Sequence, residues 1–325
     1  MDRKVSLLDG SLATQIAVHV GKNPDGDPLW TARFITTDPN AVYATHLDFL
    51  RAGSNIIETV TYQASIGGFK EHLGLNDKQS LDLIRKAVEL AKKAIETYKE
   101  ECNDKKSVNR EILVAGSCGP YGATLHDGSE YTGAYCEKVS KEFLMSWHRP
   151  RIEALLNAGV DLLAIETIPC EKEAAALVDL LKEYPHAKAW LSFSCSKDGI
   201  NLANGTKFQE VALQCYQKSL PGQIIAIGVN CLSPKIVTSL LKGINKDNHV
   251  TIPLVVYPNS GEVYSSEEGW IKDNGESITP ADFVHEWLDL GVRYIGGCCR
   301  TKAEDVVKIR KQIELWQSQE RESLL

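Results

Sequence analysis

The hydrophobic positions of this chain fall in short continuous runs, not in polar–apolar alternation. Val5-Ser6-Leu7-Leu8, Asn55-Ile56-Ile57-Glu58-Thr59-Val60, Ile112-Leu113-Val114-Ala115 and Asp161-Leu162-Leu163-Ala164-Ile165 are the first four. Ala189-Trp190-Leu191-Ser192-Phe193, the run from Ile224 to Val229, Ile252-Pro253-Leu254-Val255-Val256 and Arg293-Tyr294-Ile295 follow. Such runs predict strands buried on both faces, as in a parallel sheet. Pro253 is compatible with this only because it stands at the start of its run.

Helical patterns separate the runs, at 40–52, 78–100, 140–157, 171–183, 208–218, 234–241, 281–290 and 302–316. In 78–100 the apolar residues Leu81, Ile84, Val88, Leu90, Ala91 and Ile95 recur near the helical period. Pro234 and Pro280 stand where a first helical turn accepts proline. Gly53, Gly159 and Gly291 each follow a helical segment and precede a strand run, where a left-handed residue closes many helices. Eight strand–helix pairs predict an α/β chain folded as one (β/α)8 TIM-type barrel spanning 1–325. A doubly wound open sheet is the alternative. Helix-to-strand links are short. Several strand-to-helix links are long, at 10–38, 118–139, 195–207 and 258–280, so one face of the barrel is elaborated, and in barrels that face carries the chemistry.

Composition narrows this further. With 325 residues, 43% hydrophobic and 24% charged, the chain has ample material for a large core. A net charge of −7 without a basic tract argues against nucleic acid. No apolar run reaches the roughly 20 residues of a membrane span. Residues 1–10 lack a secretory pattern, so the expectation is a cytoplasmic protein whose nine cysteines serve as ligands, nucleophiles or core residues and not as disulfides.

Polar and sulfur-bearing residues mark the expected strand ends: Asp9, Glu58, Thr59, Cys118, Glu166, Thr167, Cys195, Asn230, Cys231, Tyr257, Asn259, Cys298 and Cys299. Strands six and eight are near neighbours in a closed barrel, so Cys231 and the vicinal pair in Gly296-Gly297-Cys298-Cys299-Arg300 can converge on one ion. Three sulfur ligands favour Zn2+ and leave one coordination position open, the arrangement of a reactive site. Position alone does not separate these thiols from Cys118, Cys170 and Cys195, since free cysteine is commonly a core residue. Glu166 reads either as a rim carboxylate or as an anion for an ammonium group. The backbone of Asp9-Gly10-Ser11 can receive a carboxylate if its N–H groups open to the cleft. Asn259-Ser260-Gly261-Glu262 is a turn by composition. Trp30, Tyr62, Tyr121 and Tyr131 could meet a sulfonium or ammonium through their ring faces.

Taken together, Leu8-Asp9-Gly10, Glu166-Thr167, Gly228-Val229-Asn230-Cys231, Tyr257-Pro258-Asn259-Ser260-Gly261-Glu262 and Gly296-Gly297-Cys298-Cys299-Arg300 resemble the homocysteine S-methyltransferase family, over nearly the whole chain. The resemblance implies a (β/α)8 barrel, a catalytic zinc on Cys231, Cys298 and Cys299, and homocysteine as methyl acceptor. It implies that Glu166 holds the homocysteine amino group, with Asp9, Gly10 and Ser11 near its carboxylate. Asn230 and Asn259, inside two of the motifs, join the expected substrate-binding set. Tyr121 and Glu130 join it from Gly119-Pro120-Tyr121-Gly122-Ala123 and Asp127-Gly128-Ser129-Glu130-Tyr131, which look like the branch that uses S-methylmethionine and sometimes S-adenosylmethionine. The length beyond a barrel is too small for folate and cobalamin domains or for the extension of betaine-using relatives. The implied partners are two small molecules, with no oligomeric state specified and a monomer compatible. The alternatives are a betaine-type or other thiol methyltransferase, a hydrolase or lyase whose metal would want His and Asp ligands, and a non-enzyme whose zinc has a fourth protein ligand.

Overall fold

The computed structural model describes residues 4–102, 110–246, 251–265, 269–272 and 278–323. Each apolar run becomes a strand: β1 (Ser6–Leu7), β2 (Ile56–Glu58), β3 (Leu113–Cys118), β4 (Leu162–Ile168), β5 (Ala189–Phe193), β6 (Ile224–Asn230), β7 (Leu254–Tyr257) and, after a hairpin of β8 (Glu262–Ser265) and β9 (Gly269–Lys272), β10 (Val292–Ile295). The eight strands outside the hairpin pair in parallel, in the order β1-β10-β7-β6-β5-β4-β3-β2. Their run around a nearly closed barrel removes the doubly wound alternative.

The seam lies between β1 and β2, where a regular ladder is replaced by four bonds, one of them from the Ser54 hydroxyl to the Leu8 carbonyl at 3.1 Å. The Asn55 N–H donates to the Leu7 carbonyl at 2.7 Å, and the Leu7 N–H donates to Asn55 Oδ1 at 3.0 Å. The Glu58 N–H donates to Asp9 Oδ2 at 2.8 Å. β1 has only two residues, so side-chain oxygens supply acceptors that a longer strand would supply from its backbone.

Period two then sorts the strands' residues. Leu8, Ile56, Ala115, Leu162, Ala164, Trp190, Ala226 and Val255 fill the barrel interior. Their neighbours, such as Val114, Leu163, Ile165, Leu191 and Ile227, face the helices in the larger outer core. The outer layer is built mainly from α3 (Pro39–Ala52), α5 (Asp77–Cys102), α6 (Lys141–Asn157), α7 (Glu171–Leu181), α8 (Phe208–Lys218), α9 (Pro234–Leu241), α10 (Val284–Asp289) and α11 (Ala303–Ser323), with the short α2 (Phe34–Thr37) and α4 (Ile66–Leu73) in the links before α3 and α5. Gly53 and Gly291, two of the repeated glycines, take φ of 115° and 104° before β2 and β10, the left-handed backbone that their placement predicts.

Two segments expected as loops hold more structure. α1 (Leu12–Val20) lies in the 10–38 link, started by Ser11, whose side chain accepts from the Thr14 N–H at 3.2 Å. The β8–β9 hairpin lies in the 258–280 link, of which 266–268 and 273–277 fall outside the described residues. At the last expected helix pair, 280–283 form a 3-10 turn under a Thr279/Asp282 capping box before α10 begins. One expectation is corrected: Cys136 and Cys170 form a disulfide, so two of the nine thiols are neither ligands nor free core residues. Among the described residues no helix is long and apolar enough to cross a membrane.

Candidate metal centre and substrate cavity

Beyond β6 the chain turns sharply at Cys231, which takes a left-handed φ of 54°. Its N–H donates to the Tyr257 carbonyl at 3.1 Å, tying the turn to the end of β7. Beyond β10, Gly297 N–H donates to the Asp9 carbonyl at 3.0 Å and Cys298 N–H to the Pro258 carbonyl at 2.7 Å. A Cβ on Gly297 would stand 2.3 Å from Thr301 Oγ1, so glycine is required where the loop packs this tightly. These bonds bring the Cys231, Cys298 and Cys299 sulfurs within 4.8 Å of one another, with Cys231 Sγ and Cys299 Sγ 3.4 Å apart. Tyr131 Oη lies 3.4 Å from Cys231 Sγ.

The donor set suits a soft divalent ion. It is all sulfur, and among the described residues no fourth His, Cys, Asp or Glu completes it. Hydrogen bonds from the Cys298 and Cys299 thiols hold Cys231 well below the usual thiol range, while the shared bonding pushes the other two up. The remaining expected candidates part company with the cluster: Cys118 is fully buried in the outer core, and burial pushes the Cys195 thiol up.

A cavity of about 60 Å³ runs from these sulfurs to the barrel's centre, with Asp9, Glu58, Glu166, Tyr62, Thr167 and Tyr257 among its walls. Three buried carboxyls enter it, from the ends of β1, β2 and β4, yet no Lys, Arg or His lines it. Burial raises all three above the normal carboxyl range, and Asp9 and Glu58 are raised further by the charge of Glu166. Glu166 rises to about 7, held from going higher by hydrogen bonds from Ser117 and Glu58. The interaction of Glu58 with Glu166 raises the first and lowers the second, which puts a proton between them on the Glu58 side. An acidic cavity without a basic residue is suited to a ligand that brings its own positive charge.

The expected substrate contacts divide. Asp9, Gly10, Ser11 and Glu166 line the cavity. The Ser11 N–H is already given to the Thr301 carbonyl at 2.9 Å, whereas no hydrogen bond among the described residues engages the N–H groups of Gly10 or Leu12. The backbone N–H groups left open on this wall are therefore those of Gly10 and Leu12. Asn230 is buried behind the wall: Oδ1 accepts from the Thr167 N–H and the Ser192 hydroxyl, both at 2.8 Å, and Nδ2 donates to Thr167 Oγ1 at 2.8 Å. It fixes Thr167, whose φ of 59° turns the chain just after Glu166. Tyr121 sits outside the cavity, edge-on to Tyr135, Phe143 and Trp147, with its N–H on Glu173. Glu130 and Asn259 also lie outside its lining. Burial lifts Glu130 to about 6, with Cys231's charge adding to the rise.

Sequence reasoning passed over Glu58, Thr167 and Tyr257 as mere strand ends, and did not single out Ser117. Strand parity contains the signal. Glu58 shares a face with Ile56, Ser117 with Ala115 and Tyr257 with Val255, all interior positions, whereas Cys118 has the opposite parity and points to the helices.

Comparison with known proteins agrees with this geometry. The homocysteine S-methyltransferase family model matches residues 6–313. A betaine-homocysteine S-methyltransferase of Drosophila melanogaster is 47% identical over 94% of this chain and 93% of its own. A homocysteine S-methyltransferase of Escherichia coli is 42% identical over 94% of each chain. The metallated form of the E. coli homocysteine methyltransferase MmuM superposes with a TM-score of 0.81 at 40% identity, covering 96% of this chain and 97% of that one. The chain belongs to the homocysteine S-methyltransferase family, and it is a methyltransferase enzyme.

Proposed function

We propose that the protein transfers a methyl group from a sulfonium donor, S-methylmethionine foremost, to the thiolate of L-homocysteine, with Zn2+ on Cys231, Cys298 and Cys299. The observation that carries this reading is the adjacency of an open three-sulfur donor set to an acidic cavity with no basic residue. One end suits a thiol and the other an α-ammonium group, and homocysteine has both. A metallated form among its solved relatives also supports the ion.

Bound zinc supplies Lewis acidity that lowers the pKa of the incoming thiol from its free value of about 8.5. Glu166 and Asp9 accept hydrogen bonds from the ammonium group. Asp9 and Glu58, both raised well above the usual carboxyl range, keep their protons, so Glu166 supplies the single negative charge that one ammonium balances. The Gly10 and Leu12 N–H groups take the carboxylate, helped by the positive end of α1. Trp30, Tyr62 and Tyr131 wall the cavity from water. In the transfer, the donor's S–CH3 bond breaks with its electron pair left on the departing sulfur, and a thiolate lone pair forms the new S–CH3 bond. A sulfonium and a thiolate become two neutral thioethers, so no general acid is required. The enzyme's remaining contribution is alignment, worth about 7–11 kcal/mol in favourable cases.

The name of the Drosophila relative supports betaine as a second reading of the donor. Incubating the protein with homocysteine and, separately, S-methylmethionine, S-adenosylmethionine and betaine decides between them. Methionine formation from S-methylmethionine at the highest kcat/KM is expected; turnover with betaine alone overturns the sulfonium assignment.

A further inference from the structure

We infer that a second cavity, on the outer side of the sulfur centre, is the seat of the donor's own α-amino-acid group. The inference rests on the sulfonium reading above. The cavity has a volume of about 340 Å³, within the range of small-molecule sites. It shares Ser11, Trp30 and Cys299 with the homocysteine cavity, so the two meet at that boundary.

Its chemistry is the complement of the first. The homocysteine cavity has three carboxyls and no base; this one has Arg300 and Lys302 with a single carboxylate, Asp25. Arg300 is held by a φ of 67° and by one bond, from its Nε to Glu262 Oε2 at 2.8 Å. Among the described residues no hydrogen bond engages its terminal nitrogens or the Lys302 ammonium. Asp25 lines the same opening as Arg300 and Cys299, with Oδ1 3.4 Å from Trp30 Nε1 and Oδ2 accepting from Asn23 Nδ2 at 2.7 Å. Trp30, with a left-handed φ of 45°, packs edge-on against Tyr62 at 5.7 Å between centroids and forms the partition.

A zwitterionic head satisfies this set: carboxylate on Arg300 and Lys302, ammonium on Asp25. The carbons between that head and the sulfonium then reach the Trp30 partition, where a ring face accepts a cation. The two amino-acid heads lie on opposite sides of the boundary and their sulfurs meet at it. Betaine matches the pattern poorly. It has no ammonium hydrogens for Asp25, and one methylene joins its carboxylate to its cation, too short a link to span from Arg300 to the partition.

The test pairs two donors, S-methylmethionine and its decarboxylated analogue, a dimethyl(3-aminopropyl)sulfonium, with wild type and R300Q/K302Q. Loss of charge-assisted hydrogen bonds is expected to raise KM for S-methylmethionine roughly 10–100-fold. KM for the analogue stays near the wild-type value, and so does KM for homocysteine. K302Q and D25N, which leave the residue beside Cys299 untouched, are expected to raise the S-methylmethionine KM individually, and calorimetric titration with that donor to weaken in parallel. If the double variant keeps the wild-type KM for S-methylmethionine, this assignment falls while the sulfonium reading stands. If wild type turns over betaine alone, the donor reading falls and takes this assignment with it.

Discussion

Glu166 is where protonation and substrate binding meet. Its carboxyl is normal in the unfolded chain, near 4.5, and rises to about 7 in the folded one. Between those values the folded state holds more protons than the unfolded state, so stability falls as pH rises, and the loss is complete above about 7. Glu166→Gln keeps the shape and the hydrogen bond from Ser117 but removes the charge. The variant is expected to be more stable than wild type at pH 8 by up to roughly 2–3 kcal/mol, with the gap gone near pH 4. Urea denaturation at both pH values without substrate measures this; an equal gap at both would remove the buried charge as its cause. The same variant should bind homocysteine more weakly. At Cys298 the expectation is of another kind. Cys298→Ala leaves two sulfurs, so bound metal and turnover should vanish together, with activity falling by more than the about 10–100-fold typical of changes behind a metal ligand. Metal analysis beside circular dichroism checks this, and a metal-free variant with full activity would dismiss the centre.

Among the elements, the 118–139 link does most to shape the site. It carries Tyr131 to Cys231 and Glu130 beside the sulfurs, and its far end is fastened by the Cys136–Cys170 disulfide to the N-terminus of α7. Glu173 on α7 gathers the same link from within, accepting from the Tyr121 N–H at 2.7 Å and from the Tyr135 hydroxyl, with His148 Nε2 2.8 Å away. The disulfide closes a separation of 34 residues, for which chain entropy gives about 3–4 kcal/mol. Cys136→Ser/Cys170→Ser is therefore expected to lower Tm by about 5 °C with metal content unchanged. Mass spectrometry of alkylated, unreduced protein should recover the two peptides linked. Peptides recovered only as separate alkylated species would remove the tether.

At the scale of the whole barrel, two close approaches keep the ring shut. Asp9 is both a cavity wall and the acceptor that bridges β1 and β2. Asp9→Ala leaves the Glu58 N–H without its partner at the seam, a cost of about 1–3 kcal/mol, and is expected to lower stability and homocysteine affinity together. Denaturant midpoints and KM measured on one preparation test the coupling. Across the ring, a Cβ on Gly228 would stand 1.8 Å from the Val255 carbonyl oxygen. Gly228→Ala must separate β6 from β7, the pair whose ends carry Cys231 and Tyr257. A loss larger than the typical 1–3 kcal/mol of overpacking is expected, read as insoluble protein or a sharply reduced Tm. Wild-type stability there would mean that the strands yield more easily than their ladder suggests.

The linear order of residues was enough to determine the eight buried runs, the glycines that end α3 and precede β10, and the motifs that point to three sulfur ligands. Those features are local: an apolar run, a φ that only glycine takes freely, a short constellation of rare residues. Tertiary structure alone decided which donors remain available. Ser11 and Asn230 both belong to the expected substrate contacts, yet the Ser11 N–H is given to Thr301 and the Asn230 amide to Thr167 and Ser192, residues far away along the chain. Glu58 gains its importance only when ring closure sets it against Glu166, because a carboxyl's protonation depends on burial and on neighbours that chain order does not bring together.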